Sequence, residues 1–303
     1  MYDVALIGGG PAAMAAAVYF ARQKIRFVLI AQEIGGQVRW SSDVENYLGF
    51  HLLPGAQLVE QFQKHLADYE EAFDRVEVNA ERVDAIEGGF RIQTVNRVIE
   101  ARFLLIATGT KHRALHVPGE KEYYGKGVTY CATCDAPLFR GKTIFVIGGG
   151  NSAMDAALFV EKYAKHVTIV SVNAELGGDA GLKTKVQASP KITVLPLTKT
   201  TKILGDEFVS GIALQGPDGE DRIEKTEGVF IEVGLEPSAQ FIDMVAKDKY
   251  GQIIVDKFNA TSVPGIWAAG DVTDVTEKQI AVAVGEGSKA ALAMIRALQR
   301  QSS

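Results

Sequence analysis

Two segments of this chain, Gly8-Gly9-Gly10-Pro11-Ala12-Ala13 and Gly148-Gly149-Gly150-Asn151-Ser152-Ala153, follow the pattern Gly-x-Gly-x-x-Ala, and each stands between an apolar run and an Ala-rich run. At a strand-to-helix junction the first glycine permits the tight turn. The second lets a pyrophosphate approach the backbone, and the small sixth residue lets helix and strand pack closely. The phosphates then rest on the helix's free N–H groups and positive dipole end. One such match alone could be a Gly-rich turn in an α/β domain. Two, each in the same strand-loop-helix-strand setting, point to two dinucleotide-binding units.

The apolar periodicity predicts a strand over 2–7, a loop over 8–13, a helix over 14–22 and a strand over 26–30, which is one βαβ unit. A second copy runs through a strand over 143–147, a loop over 148–153, a helix to 163 and a strand over 167–170. Each copy is followed by β-rich sequence and an apolar strand, over 101–109 in the first case and 228–234 in the second. The same grammar is used twice. A last strand over 265–271 and a small-residue helix from 279 to about 298 carry no nucleotide loop and are read as completing the first domain. The expected fold is therefore α/β, with two Rossmann-like three-layer nucleotide-binding domains, the second inserted into the first: 1–112 with 242–303, and 113–241.

A chain of 303 residues has room for about two domains of ~100–200 residues each. Its hydrophobic (47%) and charged (23%) fractions are those of a globular protein, and its net charge of −5 argues against nucleic acid or an anionic membrane as partner. No apolar run reaches the ~18 residues of a membrane span. Nor does the N-terminus read as a leader, because Asp3 interrupts it, so a cytoplasmic location is expected.

The only cysteines are Cys131 and Cys134, in Cys131-Ala132-Thr133-Cys134-Asp135. In a reducing compartment such a pair is catalytic or metal-binding rather than structural. Half a zinc site would need further ligands from five scattered histidines without ligand spacing. A redox dithiol fits better, since Cys-x-x-Cys at a helix start holds the sulfurs at disulfide distance and lowers one thiol pKa; no metal is expected. Asp135 could be a helix N-terminal charge or the group that moves a proton to a departing thiolate.

Other candidates are cofactor contacts. Glu33 is the acid nearest the place where a ribose would be held, and Asp271 could bind a ribityl chain or cap a turn. Gln279 and Ile280 open the last helix, whose dipole could stabilise charge on a reduced flavin ring. Gly35-Gly36-Gln37 and Glu45-Asn46-Tyr47 could reach an isoalloxazine or be surface turns. After the second unit's strand comes Ser171-Val172-Asn173, with neither the acid that suits NADH nor the arginine that suits NADPH, and the missing arginine favours NADH.

With Ala107-Thr108-Gly109, Gly270-Asp271, Lys278-Gln279-Ile280 and the runs above in this order, the chain resembles the low-molecular-weight thioredoxin reductases from end to end. Its C-terminal half, notably Val229-Phe230-Ile231-Glu232-Val233-Gly234 and Gly285-Glu286-Gly287, is also similar to the flavoprotein subunit of alkyl hydroperoxide reductase; that protein's N-terminal thioredoxin-like domains are not expected here. The resemblance implies FAD held by Gly8, Gly10, Pro11, Ala12, Ala13, Glu33, Gly35, Gly36, Gln37, Asn46, Thr108, Gly109, Gly270, Asp271, Lys278, Gln279 and Ile280. It implies NAD(P)H held by Gly148, Gly150, Asn151, Ser152, Ala153 and Ser171, a homodimer, and a large rotation of the inserted domain. Cys134 would be the sulfur beside the flavin, Cys131 the one that attacks the partner, and Asp135 the acid/base. The His-Arg-Arg and further arginine of NADPH-using members are replaced by Ser171-Val172-Asn173 and Gly177.

The expected activity is reduction of a thioredoxin- or glutaredoxin-like protein. Alternatives are an NADH-dependent reductase feeding a peroxiredoxin, a ferredoxin-fed thioredoxin reductase and, from another class, a non-catalytic flavin-binding sensor, which leaves the Cys-x-x-Cys-Asp run without a role.

Overall fold

The computed structural model describes residues 1–40, 44 and 46–302, except for the side chains of Trp40, Thr133, Cys134, Gln301 and Ser302. The chain forms two compact units, Met1–Lys111 with Glu236–Ser303, and His112–Leu235. The inserted unit thus ends before the expected 241. Tertiary contacts set this boundary: Ser238 N–H donates to Gly109, Val83 N–H donates to the Phe241 carbonyl, and Ala239 and Ile242 join the first unit's core beside Ala5 and Ile7.

In the first unit, Phe73–Val76, Phe27–Ile30, Tyr2–Ile7 and Val98–Ile106 lie side by side in parallel, and Ile266–Ala268 pairs with the last of them. Val98–Ile106 is long enough also to pair antiparallel with Gly89–Thr94, which pairs with Ala80–Ile86. Strand Tyr2–Ile7 is buried on both faces: Val4 and Leu6 enter one core cluster, Ala5 and Ile7 the other. That is why it reads as an unbroken apolar run. The helices Pro11–Arg22 and Ile280–Ser302 cover the Val4 face. The first helix starts three residues before the predicted 14, because Pro11 has its φ pre-set and lacks an N–H that would be unpaired there anyway.

The second unit repeats the plan. Ile192–Leu195, His166–Val170, Thr143–Ile147, Gly228–Ile231 and Val128–Thr129 form a parallel sheet in that order. Helix Asn151–Val160 packs on one face, with Ala132, Ala136 and Phe139 in the same cluster. The other face is covered by the antiparallel sheet Lys199–Gly205, Val209–Gln215 and Asp221–Lys225, through Ile203, Ile212 and Leu214. Each domain is a Rossmann-type α/β layered structure.

The repetition extends to single hydrogen bonds. Gly8 N–H donates to Ile30 O and Gly148 N–H to Val170 O, both at 2.9 Å. Ala107 N–H donates to Ile7 O (2.7 Å) and Glu232 N–H to Ile147 O (2.8 Å), while Gly35 N–H donates to Gly9 O (2.8 Å) and Gly177 N–H to Gly149 O (2.7 Å).

The last helix presses closely on the first. A Cβ at Gly287 would lie 2.0 Å from the Ala12 carbonyl oxygen, whereas one at Gly285 would meet no atom within 4 Å. Gly287→Ala is therefore expected to lower stability by about 1–3 kcal/mol through overpacking, and Gly285→Ala to leave it unchanged or raise it, because alanine favours helix. Urea denaturation of the two variants checks the contrast, and equal effects would contradict the packing argument.

Candidate functional site

The first nucleotide loop is built by close backbone approach. Gly8 has φ +122°, and a Cβ there would lie 2.2 Å from the Ala107 carbonyl oxygen. Gly10, the residue before the helix, is extended (φ −79°, ψ −177°) and offers no side chain to cap it; a Cβ at Gly10 would meet no atom within 4 Å. The helix's first N–H groups thus end in a cradle that an anion fits. Ala12 and Ala13 are buried against the core. Glu33 is exposed, and its main chain does the shaping: a Cβ at Gly9 would lie 2.1 Å from the Glu33 carbonyl oxygen.

Around this cradle the structure gathers several expected residues. Gly35 (φ +113°) packs under Val59, and Gly36 (φ +57°) opens the short helix Gly36–Trp40. The Gln37 amide donates to the Thr110 carbonyl (2.9 Å) and hydroxyl (3.0 Å). Thr108 uses its hydroxyl on the Ser238 carbonyl at 2.6 Å, and Gly109 turns with φ +65°. The Asn46 amide donates to Gln279 (3.0 Å) just before the last helix, and Ile280 packs on Val38, Val44, Leu58 and Val59. Glu45 lies outside the described residues.

Burial raises the Asp271 pKa, and nearby Lys278 pulls it down. The Lys278 ammonium donates to the carbonyls of Asp271 (3.0 Å) and Thr273 (2.6 Å). Glu286, given no role by the sequence reading, accepts from Gly270 N–H (3.0 Å) and the Thr273 hydroxyl (3.3 Å) and so holds the Gly270-Asp271 turn to the last helix.

The second cradle matches the first. Gly148 has φ +148°, with the Glu232 carbonyl oxygen 2.2 Å from where its Cβ would be. Gly150 is extended (φ −105°, ψ −170°) and uncapped, and a Cβ there would meet no atom within 4 Å. Ala153 is fully buried and Ser152 exposed. The Asn151 side-chain oxygen accepts from Asp179 N–H (2.8 Å), so it pins the loop before the next helix. Ser171 is 2% exposed and its hydroxyl accepts from Asn173 N–H (3.1 Å), turned into its own loop. From 171 to 179 there is no cation, while Glu175 and Asp179 are exposed acids.

Cys131 is disulfide-bonded and immediately precedes the short helix Ala132–Asp135; the Cys134 side chain lies outside the described residues. Thr129, which the sequence reading passed over, connects the parts. Its hydroxyl donates to Asp135 and accepts from Cys131 N–H (3.1 Å). Behind it the Tyr130 hydroxyl donates to the buried Glu120 (2.7 Å), which also accepts from Leu115 and His116 N–H. Burial and this carboxylate push the Tyr130 phenol well above its ordinary range. Glu232 was also missed as a site residue. Burial lifts its carboxyl to about 8, against the opposing pull of a hydrogen bond from Ala132 N–H. Its signal was an acid at the end of an apolar strand, Val229-Phe230-Ile231-Glu232. Among the described residues no group of three or more His, Cys, Asp or Glu side chains could hold a metal ion.

Residues 2–287 match the family described as pyridine nucleotide-disulphide oxidoreductase. The chain belongs to that family. It is 36% identical over 295 residues to the F subunit of alkyl hydroperoxide reductase of Staphylococcus epidermidis, covering 96% of this chain and 58% of that protein. It is 38% identical over 296 residues to a Bacillus subtilis protein named NADH dehydrogenase, covering 96% and 57%. The chain therefore spans less than two thirds of the length of these relatives. Among solved structures it resembles thioredoxin reductase from Streptococcus pyogenes (TM-score 0.85, 33% identity, 99% of both chains) and T. acidophilum thioredoxin reductase (TM-score 0.72, 38% identity, 98% of both). The family's description names a pyridine nucleotide as its cofactor, and the two uncapped cradles suit dinucleotide pyrophosphates. No helix among the described residues is long and apolar enough to cross a membrane.

Thr129→Val would strip both hydroxyl bonds from the Cys131–Asp135 turn. A loss of about 1–3 kcal/mol is expected, together with slower reduction of the disulfide by dithiothreitol near neutral pH; Thr129→Ser should restore both. Denaturation curves and thiol-release kinetics check this, and a valine variant matching wild type in both would dismiss the role.

Proposed function

We propose that the protein is a thioredoxin-disulfide reductase, passing electrons from a nicotinamide cofactor through FAD and the Cys131–Cys134 pair to a thioredoxin- or glutaredoxin-like protein. The observation that carries this reading is a disulfide-bonded Cys131 set between Thr129 and Asp135, in the same unit as a nucleotide cradle. When bound, FAD supplies the relay by which a hydride's two electrons reach the disulfide. FAD belongs to the first unit, at Gly8, Gly10, Pro11, Ala12 and Ala13, with Gln37, Thr108, Gly109, Asp271, Lys278 and Gln279 around it. NAD(P)H belongs to the second, at Gly148, Gly150, Asn151, Ser152 and Ala153.

In the reduced dithiol, the Cys131 thiolate attacks one sulfur of the partner's disulfide. A mixed disulfide forms and the partner's other sulfur leaves as a thiolate, which takes up a proton. Cys134, having given its proton to Asp135, then attacks Cys131 and expels the partner's second thiolate, which takes that proton from Asp135. The Cys131–Cys134 bond is restored, and the partner leaves carrying two electrons and two protons. Thr129 holds Asp135 and the Cys131 backbone in register for both displacements. The working form is proposed to be a homodimer.

Cys134→Ser is expected to keep FAD bound and to lose thioredoxin reduction by at least about a thousandfold, as for other lost nucleophiles. Flavin absorbance and insulin-coupled turnover check it, and wild-type turnover would end the reading.

The donor is proposed to be NADH. Nothing between 171 and 179 is cationic, and the acids Glu175 and Asp179 would repel a 2′-phosphate. A higher kcat/KM with NADH than with NADPH is expected in steady-state assays, and the reverse order would refute it. Flavin left unbleached by either nicotinamide under anaerobic titration would point instead to ferredoxin. A second acceptor reading, reduction of the dithiol module of a peroxiredoxin system, is favoured by the relatives that carry the name alkyl hydroperoxide reductase. Turnover with each purified acceptor separates the two.

A further inference from the structure

The two units are built on one plan, which makes their differences informative. Ala107 in the first unit and Glu232 in the second occupy equivalent places. Each donates its N–H to the last residue of the nucleotide strand (Ile7 or Ile147), and each carbonyl lies where the first loop glycine's Cβ would be. In the first unit this place holds a buried alanine, as the crowded junction of strand, loop and turn favours. In the second it holds a carboxylic acid, a costly choice for a position that the scaffold fills without one.

Strand Gly228–Ile231 pairs in parallel with Val128–Thr129, Phe230 beside Thr129, so Glu232 continues that strand toward Cys131, and Ala132 N–H, the amide following Cys131, hydrogen-bonds its carboxyl. We propose that Glu232 is a positioning residue whose own charge sets how readily Cys131 releases its proton, so that the reduced dithiol is a better nucleophile while Glu232 is protonated. This rests on the redox role given to the dithiol above.

Burial keeps Glu232 protonated up to about pH 8. Below that pH the equilibrium Cys131–SH ⇌ Cys131–S⁻ + H⁺ proceeds beside a neutral group. Above it, a carboxylate one residue from Cys131 opposes a second negative charge, and the thiol titrates higher. The flanking segments carry few other titratable groups. Loop 148–153 and strands Thr143–Ile147 and Val128–Thr129 have none. The dithiol segment has Tyr130, bonded to Glu120, and Asp135, bonded to Thr129. Arg113 donates its main-chain N–H to Gly234 beyond Glu232, and Glu236 follows on the same segment.

The test is alkylation of Cys131 by iodoacetamide in the reduced, FAD-loaded protein from pH 6 to 10, read by fragment-ion mass spectrometry, for wild type and Glu232→Gln. The profiles should coincide below about pH 7 and separate above about pH 8, the variant reacting faster by up to about tenfold for a one-unit coupling. Superimposable profiles across the range would overturn the proposal. Should Glu232→Gln fail to fold, ¹³C NMR of glutamate-labelled wild type decides by an independent route. A Glu232 carboxyl that titrates near 8, and at lower pH in Cys131→Ser, supports the coupling; a midpoint near 4.5, or one indifferent to Cys131, ends it. Neither readout requires turnover, so a failed thioredoxin assay would count against the function above and leave this result standing.

Discussion

Each nucleotide loop turns on a glycine set against a carbonyl oxygen, Gly8 against Ala107 and Gly148 against Glu232, with only 2.2 Å where a Cβ would lie. No other residue fits, because the contact would be with rigid main chain rather than a side chain able to move. With the glycine in place, the strand can end, turn and send a helix back across the sheet within a few residues. The helix's unpaired N–H groups then converge in a cradle that no side chain fills. Both candidate nucleotide cradles descend from this one steric constraint, used twice.

Duplication explains why so much was legible from composition and spacing. Strands buried on both faces read as apolar runs, small residues mark where Pro11–Arg22 and Asn151–Val160 touch their sheets, and the glycines mark the turns. These signals are local in the chain, and the fold preserves them. The boundary near 241 was not legible. Ala239 and Ile242 join the first unit by packing against Ala5 and Ile7, a contact that no local pattern announces.

The site was legible to the same depth. Glu33 was chosen because an acid was expected near that point, yet its carbonyl rather than its carboxylate shapes the loop against Gly9. Asn151 and Thr108 spend side-chain oxygens on the main chain, at Asp179 and Ser238, so part of their work is to hold the cradle rims. Thr129 escaped notice because a threonine on a short strand is ordinary; only the turn at Cys131 brings its hydroxyl between Cys131 N–H and Asp135. Glu286 stands 16 residues from the Gly270 N–H it accepts, a distance only a helix packed back on its turn can close.

The two units also treat buried acid differently. In the first, Asp271 is raised by burial but offset by Lys278, and Glu286 is supplied with donors from Gly270 and Thr273. Lys278 thus lowers the cost of a charge on Asp271. In the second, Glu232 has burial against it and one amide in its favour. A carboxyl so placed is held close to its own titration point at the pH where thiols begin to ionise. Where the scaffold's other copy keeps an alanine, an acid that changes charge in the range of thiol chemistry gives the dithiol unit something its twin lacks: a proton equilibrium beside the atom that must lose one.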